Sequence, residues 1–160
     1  MRITITAIAI IINIQALFCQ VTFEKWFGTG GWDWGHSAKQ CKDGGYIISV
    51  SSDGKTSSNA NAVWLIKTNI YGDTLWTKSY GGNNMDKGYS VQQTIDGGYI
   101  IAGETWSYGA GQKDIYLIKT DSMGNILWTK TYGGSSYDVG YSVQLTSDGG
   151  YIIVGASRSF

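Results

Sequence analysis

The sequence predicts an all-β fold: a partial β-propeller of about two and a half four-stranded antiparallel blades, arranged as an open arc. Three observations predict it. First, Leu75–Gly103 and Leu127–Gly155 are identical at 21 of 29 positions, and a diverged copy begins at Phe23. Such a period, a little over fifty residues, indicates repeated supersecondary units. Second, every copy contains Asp-Gly-Gly-Tyr-Ile, a hairpin signal between apolar runs. Third, no segment shows sustained helical periodicity.

Each full period divides into four short strands, which we name A to D. Strands A and B flank the Asp-Gly-Gly turn, a longer loop leads to strand C, and a second tight turn leads to strand D. Runs such as Ile115–Lys119 are apolar on both sides, which is expected when neighbouring sheets cover both faces. In the best-preserved copy the strands are expected near 89–94, 99–105, 114–120 and 126–132.

The repeat domain is expected to span 21–160 and to contain eleven strands. Its predicted parts are a D strand at 21–28, blades at 35–80 and 88–132, and an incomplete blade at 140–160. Propellers close with about four to eight blades. The chain is therefore either a fragment of a longer product or an arc that other chains complete. Joining the first D strand to the last A and B strands still leaves one strand missing. The open edge favours self-association.

Residues 1–20 form a separate segment. Arg2 is its single charge, and an apolar run follows. This pattern predicts a secretory signal peptide and an extracellular or periplasmic protein. A retained membrane anchor is the alternative, but Asn13 and Gln15 interrupt a run that is already short. After processing we expect no contact with a membrane.

Composition excludes several classes of function. The 12 basic and 12 acidic residues balance, so no electrostatic footprint for nucleic acid is present. Cys41 would be the single cysteine after processing, which excludes an internal disulfide and a cysteine-based metal site. The ligand spacing of an EF-hand loop is absent. We expect no metal and no cofactor.

The turn between strands C and D carries a family resemblance. Asp121-x-x-Gly124-x-x-x-Trp128 resembles the Asp…Gly…Trp signature of quinoprotein-type propeller blades, and it is also similar to the Asp-box of sialidase-like propellers. The whole period resembles the Asp-Gly-Gly-Tyr-Ile arrays of secreted bacterial and archaeal proteins. The resemblance covers 21–160 and implies the propeller fold. The cofactor-holding residues of a quinoprotein enzyme are not recognisable.

Repetition separates structural residues from functional ones, because a catalytic group acts at one place whereas a structural residue is needed in every unit. The aspartates before Gly-Gly are therefore expected to accept backbone N–H groups of the turn. The aspartates before strand A are expected to brace the D–A loop. Mid-strand tryptophans of strand D are expected in the core. These three sets are Asp43, Asp96 and Asp148; Asp33, Asp86 and Asp138; and Trp76 and Trp128.

His36 is the single histidine, at a position where the other copies have Tyr89 and Tyr141. A Ser-His-Asp arrangement could be assembled from Ser37 and Asp33, but triads are recognised by geometry and not by residue type. We therefore assign no catalytic residue.

The D–A and B–C loops of a propeller emerge at the same end, and there the chain gathers aromatic rings beside Asp and Asn. Rings that stack on sugar CH groups, with polar groups that bond to hydroxyls, are typical of glycan-binding surfaces. The alternative is that these rings pack between blades. The candidate ligand-binding residues, which we call the aromatic loop face, are Trp32, Asp33, Trp34, Asn83, Asn84, Asp86, Trp106, Tyr108, Tyr137 and Asp138.

Three functions are compatible with this sequence. The favoured one is a secreted, non-enzymatic repeat module for binding or scaffolding, with glycans or other extracellular molecules as ligands. The second is a lectin-like carbohydrate-binding propeller. The third is one arc of an extracellular hydrolase or quinoprotein-like enzyme, which would require a carboxylate or histidine pair unique to one blade.

Overall fold

The computed structural model describes residues 23–28, 32–52 and 62–159. The predicted signal peptide, residues 21–22 of the predicted first strand, and most of the first B–C loop lie outside these ranges. Within them no helix is long and apolar enough to cross a membrane. The strands are β1 (Asp33–Gln40), β2 (Tyr46–Ser52), β3 (Val63–Thr68), β4 (Thr74–Tyr80), β5 (Asp86–Gln93), β6 (Tyr99–Thr105), β7 (Asp114–Thr120), β8 (Ile126–Tyr132), β9 (Asp138–Leu145) and β10 (Tyr151–Ser157).

These strands form three antiparallel sheets in chain order: β1–β4, β5–β8 and β9–β10. The described residues contain no helix. The predicted all-β, propeller-like open arc is confirmed. Strand A begins three residues earlier than expected in the second blade, at Asp86, because this aspartate already pairs with the last residue of strand B in Asp86↔Thr105.

The segment predicted to be the first D strand does not form a strand in the structure. Residues 23–28 are described but are not part of a strand, because no strand C lies beside them in the described part of the chain to form a ladder. They nevertheless occupy the D position. The Phe23 ring lies 5.5 Å from that of Tyr46, and Trp76 lies 5.9 Å from Tyr99 in the next unit.

The Asp-Gly-Gly turn requires each of its three residues. Asp43 Oδ1 accepts the backbone N–H of Gly45 at 3.0 Å, and the same bond recurs in the other two copies. The expected turn role of these aspartates is confirmed. Gly44 has φ = 81°, a left-handed conformation that favours glycine. A Cβ on Gly45 would lie 2.1 Å from the carbonyl oxygen of Thr68, so no larger residue fits there.

The blades join face to face, with strand A of each blade packed on strand B of the preceding blade. At the junction of the first two blades, Ile47 and Leu65 pack with Val91. At the next junction, Ile100 and Ala102 pack with Val143.

A serine hydrogen bond accompanies each junction. Ser37 Oγ accepts the N–H of Val91 at 3.4 Å, and Ser90 Oγ accepts that of Val143 at 3.3 Å. The same serine hydrogen bond therefore links successive A strands at both junctions.

The two D-strand tryptophans are less buried than expected. Trp76 and Trp128 are half-buried and pack against the edges of the two core clusters. Each ring lies against the tyrosine that opens strand B of the following blade, so these tryptophans clamp neighbouring blades and do not fill the centre of a core.

Candidate functional site

Strand register confirms the prediction that the D–A and B–C loops emerge at the same end of the sheets, which we call the loop end. The first residue of every A strand pairs with the last residue of its B strand, as in Asp33↔Ser52 and Asp138↔Ser157. The D–A and B–C connections therefore emerge at one end of each sheet. The B–C loop at 53–61 lies outside the described residues.

The three aspartates of the aromatic loop face are buried. Asp33 is 7% exposed, and Asp86 and Asp138 are fully buried. Asp86 Oδ2 accepts the N–H of Gly82 at 2.9 Å and the hydroxyl of Ser107 at 2.7 Å. These contacts tie the D–A loop to the B–C loop, which is the bracing role and leaves no carboxylate on the surface for a ligand.

Asp138 has the same environment in the third unit. Its Oδ2 accepts the N–H of Gly134 at 3.1 Å and the hydroxyl of Ser159 at 2.6 Å. Hydrogen bonds from Ser157, and then from Ser159, hold the pKa of Asp138 below its usual value. This carboxylate is therefore charged at neutral pH, and it is stabilised by the loops it holds.

Asn84 and Tyr108 also connect the loops. Asn84 Nδ2 donates to the carbonyl of Trp106 at 3.1 Å, and Tyr108 Oη donates to the carbonyl of Gly81 at 2.9 Å. The neighbouring Asn83 is exposed. Of the predicted polar groups, the Asn83 side chain is thus the one that faces solvent without a loop-bracing bond in the described structure.

Four of the five predicted aromatic rings at this end occur in two pairs, whereas the exposed Tyr108 lies against Tyr116 of strand β7. Trp32 and Trp34 are stacked, with centroids 6.4 Å apart and ring planes 14° from parallel. They are 44% and 45% exposed. The edge of Trp106 meets Tyr137, at 5.9 Å and 68°. The structure therefore brings four of the predicted aromatic residues together, as one pair in the first blade and one between the second and third units.

Sequence reasoning missed a row of rings on the A strands. Each A strand is bulged, and the unpaired residue is His36 in β1, Tyr89 in β5 and Tyr141 in β9. The rings of His36 and Tyr89 lie 4.9 Å apart, and those of Tyr89 and Tyr141 lie 5.8 Å apart. Bulges redirect side chains and are frequent beside functional sites. The repeated triplet Gly-(His/Tyr)-Ser was the available signal.

Polar groups that differ between blades surround this row. Glu104 is 2% exposed, and its carboxylate lies 2.7 Å from Lys113 Nζ and 3.8 Å from Lys87 Nζ. Burial, and then the charge of Glu104, raises the pKa of Tyr89. In the first blade, Ser51 occupies the position of Glu104, and its Oγ lies 2.9 Å from His36 Nε2. Burial, and then the charge of Lys87, lowers the pKa of His36.

This geometry does not form the Ser-His-Asp arrangement that the sequence alone allowed but did not predict. Ser37 accepts a backbone N–H from the next blade, and the hydroxyl beside His36 belongs to Ser51, which is 3% exposed. A nucleophile has to reach its substrate as well as its base. The described residues also contain no group of three or more His, Cys, Asp or Glu side chains that could hold a metal ion.

No protein-family model matches the chain, and no curated protein matches it. Among solved structures, the chain is similar to a protein of unknown function from Bacteroides caccae, with a TM-score of 0.50 and 11% sequence identity. The likeness covers 79% of this chain and 39% of that one, so the chain spans well under half the length of its structural neighbour. At this identity the likeness concerns the fold alone.

Proposed function

We propose that the protein is a secreted, non-enzymatic binding module that holds saccharides on the exposed aromatic rings of its loop end. The observation that carries this proposal is the Trp32–Trp34 stack. Its two rings are nearly parallel and almost half-exposed. Exposed aromatic groups at one end of a rigid scaffold are a common mark of a binding surface.

The repeats themselves supply a second argument. Aromatic residues present in every full unit, such as Trp76 and Tyr99, pack between blades. Trp34 does not follow this rule, because its equivalents in the other two units are Lys87 and Val139. A ring that occurs once and remains exposed is not required by the common scaffold.

The ligand chemistry follows from the shape of the pair. The exposed face of a stacked indole is flat and apolar, which fits the CH face of a pyranose. Asn83 offers amide donor and acceptor groups for hydroxyls at the same end of the sheets. Because the aspartates of this end are buried, we expect stacking to contribute more to affinity than carboxylate hydrogen bonds.

The test is titration of the full chain with neutral oligosaccharides of several linkages, followed by tryptophan fluorescence and calorimetry. We expect Trp34→Ala to weaken binding about tenfold or more, as for a residue that anchors an interface. Trp26→Ala is the matched control, since Trp26 is 53% exposed but lies in the 23–28 segment. Equal affinities for the two variants, or no saturable saccharide binding by the unaltered chain, would refute the proposal.

A further inference from the structure

The face of β9–β10 exposes apolar side chains that are covered in both other blades. Ile152 and Val154 are 56% and 62% exposed. Their equivalents Ile100 and Ala102 in β6 are fully buried under β9 of the next unit. The same face of β2 is covered by β5. The open side of the third unit is thus a third copy of a docking surface that the chain uses twice internally.

The other end of the arc exposes the complementary surface. In β5 and β9 the central contact residue is Val91 or Val143, and both are fully buried against the preceding blade. The equivalent residue in β1 is Ala38, which is exposed. One chain therefore carries both halves of a junction, unpaired, at opposite ends.

Side-chain volume favours a match between these two ends. The second internal junction joins Ala102 on the B strand to Val143 on the A strand. At the open ends the same two residue types are exchanged, with Val154 on the B strand and Ala38 on the A strand. The sum of the volumes is the same, and close-packed interfaces tolerate volume-conserving exchanges best.

Polar groups at the open ends repeat those of the internal junctions. Ser142 is equivalent to Ser37 and Ser90, whose hydroxyls accept N–H groups from the next A strand. Within the described residues Ser142 has no such partner, and the N–H of Ala38 is the equivalent donor.

A glutamine gives a second polar match. Gln93 Oε1 accepts the N–H of Lys42 across the first junction, while its Nε2 donates to Gly97. Gln40 is equivalent to Gln93, and its Nε2 makes the same bond to Gly44. Its Oε1 is therefore oriented to accept the N–H of Ser147, the equivalent of Lys42, from a preceding unit.

We infer that a second copy of this chain docks head to tail, with its β1 face on the β9–β10 face of the first copy. Each copy then uses different surfaces on its two sides, a heterologous contact that builds rings or filaments. The joint blade would combine β9 and β10 of one copy with residues 23–28 of the other, three of the four strand positions. This inference is independent of saccharide binding.

The test measures the molar mass of the full chain by light scattering and sedimentation over a range of concentrations. We expect mass to rise with concentration, and both Val154→Arg and Ala38→Arg to give monomers. Both residues are exposed in the single chain, so folding should be retained, and circular dichroism checks this. Leu75→Arg is the control: Leu75 is 58% exposed on β4, outside either face, and this variant should still associate.

Mixing the two monomeric variants separates head-to-tail docking from a symmetric dimer. Val154→Arg retains an intact β1 face and Ala38→Arg retains an intact β9–β10 face, so the mixture should form a one-to-one dimer and stop there. A symmetric β10-to-β10 dimer would instead survive in Ala38→Arg alone. That result, or an unaltered chain that stays monomeric at all concentrations, would overturn the inference.

Discussion

Lys119 Nζ lies 2.8 Å from Asp96 Oδ2, and this pair couples a nearly buried ammonium to the Asp-Gly-Gly turn. The ammonium also donates to the carbonyl of Thr120 at 2.9 Å. The first blade repeats the pair, with Lys67 Nζ 2.8 Å from Asp43 Oδ2. The aspartate therefore has two roles, since it caps the turn and neutralises a lysine from strand C that is 4–5% exposed.

Removing this carboxylate should destabilise the fold. We expect Asp96→Asn to lower the free energy of unfolding by about 1–3 kcal/mol, the usual cost of leaving a buried polar group without its partner. Urea denaturation measures the change. Asp148→Asn is the matched control, because Asp148 caps the same turn but pairs with Thr146 and not with a lysine. Equal losses in the two variants would show that the lysine contributes nothing.

The same pair predicts a pH dependence. Hydrogen bonds from Lys119, and then from Thr94, lower the pKa of Asp96 to about 2, below the value of about 3.9 in an unfolded chain. A depressed pKa stabilises the folded state above the unfolded value, and this stability is lost as pH falls from about 4 to about 2. Unfolding measured between pH 7 and pH 2 should show the gap between the unaltered chain and Asp96→Asn closing below pH 4. A constant gap would contradict this.

The contacts of Trp76 and Trp128 with the following blade should contribute differently to the free energy of unfolding. Trp76 packs on Tyr99, which is 2% exposed, whereas Trp128 packs on the half-buried Tyr151. Truncating a fully buried tryptophan costs about 3–5 kcal/mol. Because both rings are half-buried, we expect about 1–3 kcal/mol for Trp128→Ala and a larger loss for Trp76→Ala, measured by thermal or urea unfolding. The reverse order would show that the Trp76–Tyr99 contact does not control the junction.

Two glycines of β6 and its preceding turn should respond differently to alanine. A Cβ on Gly103 would lie 1.7 Å from the carbonyl oxygen of Lys87, whereas a Cβ on Gly97 meets nothing within 4 Å. Gly97 instead has φ = 83°, which costs an alanine about 1–2 kcal/mol. We expect Gly103→Ala to lose clearly more stability than Gly97→Ala, and Gly97→Asn to recover part of the latter loss. Similar losses for the two alanine variants would contradict the predicted backbone clash.

Most of the fold follows from periodicity. The repeated Asp-Gly-Gly turns and two-sided apolar runs specify strands B and C, whose bounds match the expectation closely in the second blade, as in Tyr99–Thr105. Strand A was predicted to begin too late. The strand continues past the bulge to its first aspartate, which pairs with strand B. A bulge cannot be recognised from the alternation of apolar and polar residues in the sequence.

The site was less predictable than the fold, because the exposure of a side chain depends on residues that are distant in the sequence. The indole pair of the first blade could be anticipated from its absence in the other copies. The burial of Asp86 could not, because the Ser107 hydroxyl that it accepts comes from another loop. The convergence of His36 with Tyr89 likewise requires two blades to meet, and their separation along the chain conceals it.

The bulge in each A strand also marks a position at which such a repeat can diversify. His36, Tyr89 and Tyr141 have no paired residue across the ladder, so the side chain at this position does not have to fit a cross-strand partner. Duplication of the repeat followed by substitution at this one position in each copy would place new side chains along the A strands. The rest of the fold would stay the same.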